Sequence, residues 1–142
     1  MSEQIVATEE QRRRVASLAA RHGFRMVLLF GSAVTGREHA RSDLDIAVLF
    51  EGDDPGFKEF SEACHDLQEV FPDRRVDVAA INHADPLFLK KILDRCVLLF
   101  GTESNLQEMK IFAFKRYQDH GRFFDMERTY AERFARKAAA RT

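Results

Sequence analysis

The run Asp43-Leu44-Asp45-Ile46-Ala47-Val48-Leu49-Phe50 sets two carboxylates one residue apart at the head of an otherwise apolar segment. Side chains alternate across a strand, so Asp43 and Asp45 share a face, two rises of about 3.3 Å apart. An apolar continuation of this kind suits a central strand rather than an edge. Two carboxylates that close repel, and burying either one unpaired is costly. A divalent cation resolves the conflict. Mg²⁺ accepts hard oxygen ligands, commonly one or two protein carboxylates, and fills its other positions with water and substrate phosphate. The pair therefore points to a metal and a phosphate-bearing substrate; the structural alternative is a solvated pair at an exposed strand end.

The flanking sequence supplies the layers such a strand needs. Thr8-Glu9-Glu10-Gln11 reads as a capping box, followed by Val15, Leu18 and Ala19 at helical spacing and a stop at Gly23, which predicts a helix over about residues 9–22. Arg25–Phe30 is an apolar run suited to a strand buried on both faces. A helix capped at Asp54, with Pro55 in its first position, is expected to run to Pro72, and a third strand spans Arg74–Ile81. Asp85-Pro86 opens a helix to about Asp94, and Cys96–Phe100 is a fourth strand closed by Gly101. From Ser104, read with Gln107 as a further capping box, the chain is expected to be helical to its end, with a break near Gly121. The fold class is α/β (α+β): a small mixed sheet of about four strands flanked by helices, with a long C-terminal helical segment.

At 142 residues the chain is read as one domain, 1–142, with a core over 1–101 and the helical segment over 102–142. A net charge of −1 gives no global case for nucleic-acid binding. The N-terminus lacks the basic start and apolar middle of a signal peptide, and no apolar run approaches the ~20 residues of a membrane span. A cytoplasmic location is expected. Cys64 and Cys96 stand far apart without zinc-type spacing and are read as reduced, buried thiols.

Two further features bear on the site. Gly31-Ser32 follows the first strand, where a glycine admits close approach to the backbone and a serine at a helical turn offers a hydroxyl and N–H groups to an anion. Asp77 lies between Val76 and Val78, on the opposite side of its strand from both valines. If its strand lies beside the second with Asp77 level with Asp45, three carboxylates form one site; otherwise Asp77 is an ion-pair partner of Arg74 or Arg75. Ser42 either orients a carboxylate or begins the strand.

Gly31-Ser32, ten residues, Asp43-Leu44-Asp45 and then Asp77 in a Val-Asp-Val strand resemble the signature of the nucleotidyltransferase (polymerase β-like) superfamily. The short chain resembles its minimal branch, the MntA antitoxins encoded beside HEPN-domain (HepT) toxins. The resemblance implies that Gly31 and Ser32 contact the β- and γ-phosphates of ATP. It implies that Asp43 and Asp45 bind Mg²⁺, and that Asp77 completes a two-ion site and activates the acceptor. It further implies a cognate HEPN toxin as partner, whose tyrosine hydroxyl receives AMP and which is thereby neutralised. Many relatives carry arginine where this chain has Thr35, before Gly36; Arg37 or Arg41 is the candidate replacement. Two other readings stay open: transfer to a small-molecule hydroxyl such as an aminoglycoside, and a non-catalytic antitoxin acting by sequestration.

The remaining features have structural readings. Arg12-Arg13-Arg14 and the basic C-terminus are read as solvated helical faces, and the histidines His22, His39, His65, His83 and His120 share no metal-ligand spacing. Leu106, Met109, Phe112, Ala113 and Tyr117 form a core stripe on the last helix. Phe123, Phe124, Tyr130 and Phe134 extend it into an expected partner or oligomer surface.

Overall fold

The computed structural model describes residues 7–31, 34 and 43–140. The predicted capping box opens α1 (Glu9–His22): Gln11 N–H donates to Thr8 Oγ1 at 3.1 Å, and Thr8 N–H donates to Gln11 Oε1 at 2.9 Å. Gly23 closes the helix in the left-handed region, with φ 75° and its N–H on the Ala19 carbonyl at 2.9 Å. Arg12 does not belong to the solvated face. Its guanidinium reaches the carbonyl of Leu98 at 2.8 Å, tying α1 to the last strand.

Strands β1 (Phe24–Phe30), β2 (Leu44–Phe50), β3 (Val76–Ala80) and β4 (Val97–Phe100) form one sheet in the order β3-β2-β1-β4. β1 runs antiparallel to both β2 and β4, whereas β2 and β3 are parallel. The strand carrying the paired acids is therefore internal, as its apolar run requires, with Ile46, Ala47 and Val48 fully buried. Both sheet faces are covered. Leu44, Ile46 and Val48 pack with Val27 and Leu29 under α1 and α2 (Phe57–Val70), whose Ala63, Leu67 and Val70 are buried there. Met26, Leu28 and Ala47 pack on the other face against Leu89, Ile92 and Leu93 of α3 (Pro86–Asp94) and Leu106 and Ala113 of α4 (Glu103–Ala140).

The connection into β3 is held by one side chain. Gln68 Nε2 donates to the carbonyls of Phe71 and Arg74 at 3.0 and 2.6 Å, and Gln68 Oε1 accepts from Val76 N–H at 2.9 Å. At the start of α3, Asp85 accepts from Leu87 N–H at 2.9 Å and Pro86 occupies the first turn, as the sequence predicts.

Three boundaries differ from expectation. Helix α2 is capped by Gly56, not Asp54, because Phe60 N–H takes the Gly56 carbonyl at 2.9 Å; Asp54 instead meets His83 Nε2 at 3.4 Å. Helix α4 is capped by Thr102 rather than Ser104: Thr102 Oγ1 accepts from Asn105 N–H at 3.1 Å and the Thr102 carbonyl from Leu106 N–H at 3.0 Å. The expected break near Gly121 is absent, and α4 continues for 38 residues, about 57 Å at 1.5 Å per residue. Of the apolar stripe on α4, Leu106 and Ala113 are buried, but Phe112 is half exposed. The predicted turn after Ser32 lies outside the described residues. No described helix is long and apolar enough to cross a membrane.

Candidate active site

Asp45 stands at the head of β2 with Phe30 of β1 as its partner on one side and Asp77 of β3 on the other. Residues level on neighbouring strands share a face, so Asp45 and Asp77 project together on the side of the sheet that carries Ala47. Asp43 immediately precedes β2 and is exposed. Leu44 N–H donates to the Arg75 carbonyl at 2.7 Å, fixing the register just where the acids begin.

Gly31 completes the geometry from the end of β1. Its φ of 78° lies in the left-handed region, and a Cβ built there would overlap the Asp45 carboxylate. The absence of a side chain is what lets the chain turn away across the acid.

The electrostatics follow from the register. Burial pushes the Asp45 carboxyl above the usual carboxylate range, and the charges of Asp77 and then Asp43 push it further. The three acids do not close into a tight cluster: among the described residues, the donor set whose ligand atoms all lie within 4.8 Å of one another is His65, Asp66 and Glu69 on α2. Asp66 in that set is already engaged, accepting or sharing a proton with His22 Nε2 at 2.7 Å. Asp77 Oδ1 lies 3.8 Å from Arg75 Nε, so both of its sequence readings coexist, level with Asp45 and near an arginine. Oxygen-only donors under mutual repulsion are a fit for a hard divalent cation, which would draw the carboxylates together.

A cleft of about 580 Å³ opens beside Gly31 and Asp45, within the range of small-ligand pockets. Its far wall is α3, which contributes Phe88, Lys90 and Lys91, with Arg95 at its C-cap, and α4 adds Tyr117. Phe30 and Phe88 meet edge to face, with centroids 6.1 Å apart. These cations were not singled out from sequence. The available signal was basic residues in and just after the last turn of a helix whose other face is apolar, Lys91 within it and Arg95 at its C-cap. The predicted Ser32, Arg37, Arg41 and Ser42, together with Thr35, lie outside the described residues.

A four-stranded mixed sheet with acids level on its parallel pair, beside a cleft with cationic and aromatic walls, defines a small α/β domain with an acidic site at one sheet end. The chain matches the model of the polymerase β nucleotidyltransferase family over residues 14–105 and belongs to that family. Over 88 residues it is 30% identical to the "Putative protein adenylyltransferase MJ0435" of Methanocaldococcus jannaschii, covering 62% of this chain and 92% of that one. A crystal structure of a toxin-antitoxin with AMP-PNP shares the fold, with TM-score 0.67 at 22% identity, covering 87% of this chain and 97% of that chain. So does the complex of the tri-AMPylated Shewanella oneidensis HEPN toxin with the MNT antitoxin, with TM-score 0.63 at 19% identity, covering 89% and 97%.

Proposed function

We propose that the chain is an antitoxin-type protein adenylyltransferase that moves AMP from MgATP to a tyrosine hydroxyl of a cognate HEPN toxin. The observation that carries the reading is the pairing of Asp45 with Asp77 across the parallel strands, with Gly31 leaving room for the Asp45 carboxylate at the end of β1. The family membership supports nucleotidyl transfer. The name of the archaeal relative supports a protein acceptor, and the folds shared with toxin–antitoxin complexes support the partner class.

In this reading Asp43, Asp45 and Asp77 would hold Mg²⁺, two ions being the expected number, and the metal would supply charge neutralisation for the transfer. Gly31 and Ser32 orient the phosphates. The acceptor oxygen forms a bond to the α-phosphorus as the bond from that phosphorus to the α–β bridging oxygen breaks, and pyrophosphate leaves. Asp77, the more exposed of the paired acids, takes the hydroxyl proton.

The test is incubation of the purified chain with MgATP and its proposed HEPN partner, followed by mass spectrometry for AMP on tyrosine. The expected result is modification by the wild type and none by the Asp43→Asn, Asp45→Asn double variant. An unmodified partner, or labelling unchanged in the double variant, overturns the reading.

A further inference from the structure

The cleft beside Asp45 poses a charge problem. A nucleoside triphosphate is polyanionic, and the site presents Asp45 with Asp77 and Asp43 close enough to repel it. Positive charge on the protein has to come from elsewhere, and the described wall that carries it is α3. Lys90 is committed within that wall: its ammonium donates to Asp94 Oδ2 at 2.9 Å and sits 4.9 Å from the Tyr117 ring centroid. That pairing offsets the Asp94 charge, which also faces the cleft. Lys91 and Arg95 form no ion pair among the described residues, and both line the cleft. Lys91 lies on the exposed side of α3, and Arg95 follows four residues on as the exposed C-cap, where the backbone has already turned extended (φ −142°, ψ 100°).

We propose that Lys91 and Arg95 form the polyphosphate-binding wall of the site, receiving the β- and γ-phosphates that depart as pyrophosphate. The inference rests on the adenylyltransferase reading and names its phosphate-recognition residues. Arg95 presents a planar fork suited to two phosphate oxygens, and Lys91 a mobile point charge lining the same cleft. The Lys90–Asp94 pair is a positioning device that keeps Asp94 from competing for those cations.

The measurement is calorimetric binding of ATP, ADP and AMP, each with Mg²⁺, to the full chain and to the Lys91→Ala, Arg95→Ala variant. Charge-assisted hydrogen bonds are lost with both side chains, so ATP affinity is expected to fall about tenfold for each cation removed, with AMP changing less than about threefold. Lys91→Arg is expected to retain the preference for ATP over AMP, which a general disturbance of α3 would not. Thermal melting of each variant monitors the fold. If the double variant binds ATP as the wild type does, or loses AMP and ATP in equal measure, the assignment is overturned while the adenylyltransferase reading stands. If the wild type binds no ATP, both fall together.

Discussion

The Asp45 carboxylate fills the space into which a side chain at Gly31 would project. Gly31 also has φ 78°, so an L-residue there meets backbone strain as well as overlap. Gly31→Ala is therefore expected to destabilise the fold by about 1–3 kcal/mol and to displace the acid. AMP transfer should fall at least tenfold even at temperatures where the variant is folded, since misplacing a reacting group by about 1 Å can cost 100-fold. Melting curves alongside transfer rates check this. A folded variant with wild-type activity would show that the close approach plays no part in the reaction.

Asp45 gives the opposite sign for stability. Its folded-state carboxyl is held above the ordinary range by burial and by Asp77 and Asp43, so ionised Asp45 weakens the metal-free fold. The raised folded pKa means that this penalty is fully present at neutral pH, eases as pH falls through the folded value, and is gone below the unfolded value. Asp45→Asn is expected to raise Tm at neutral pH, by roughly 3 °C for each kcal/mol gained at this chain length, and to flatten the acid limb of the stability profile. Mg²⁺ should raise Tm of the wild type and leave that of Asp45→Asn nearly unchanged, because a ligand stabilises only the state that binds it. A wild-type Tm insensitive to Mg²⁺, or an Asp45→Asn variant less stable than the wild type, would contradict the argument.

Gln68 holds the turn that delivers Asp77. Its amide spans the Phe71 and Arg74 carbonyls and the Val76 N–H, one residue before the acid. Gln68→Leu removes all three bonds, with an expected loss of about 3 kcal/mol at roughly 1 kcal/mol each, read by urea denaturation. Gln68→Glu keeps the acceptor for Val76 but loses both donors, and should fall between wild type and Gln68→Leu. Equal stability of all three proteins would sink the stapling role.

The legibility of this chain in its sequence divides along physical lines. Local signals worked where one side chain decides the outcome: the Thr8–Gln11 box, the Asp85-Pro86 start and the apolar run of β2 all form as read. Alternation gave each acid its face, but the level placement of Asp45 and Asp77 stood as a condition that only the register of β2 on β3 decides. Caps were misplaced where two candidates competed within two residues. Thr102 displaced Ser104 and Gly56 displaced Asp54, since the geometry of the preceding turn chooses between them. The cationic wall of α3 was missed for a different reason. A lysine or arginine on an amphipathic helix is ordinarily solvated, and only packing of α3 against α4 brings Lys90, Lys91 and Arg95 into a cleft with Asp45.

Gly121 shows how tertiary context overrides a local breaker. Glycine in a helix interior is about 1 kcal/mol less favourable than alanine, and the sequence places it between two aromatic groups, which suggests a break. Helix α4 nonetheless runs through it, and a Cβ built there meets nothing within 4 Å. Continuity holds the exposed Ile111, Phe114, Met126 and Phe134 on one helix, the segment expected from the sequence to offer a partner surface. Gly121→Ala is therefore expected to stabilise the protein by about 0.5–1 kcal/mol, through helix propensity and a less free unfolded chain. It should also raise helical circular dichroism slightly and leave AMP transfer unchanged. If the chain breaks at Gly121 in solution, alanine would give no stabilisation, and a loss of partner modification would show that the bend, rather than the straight helix, is what the partner requires.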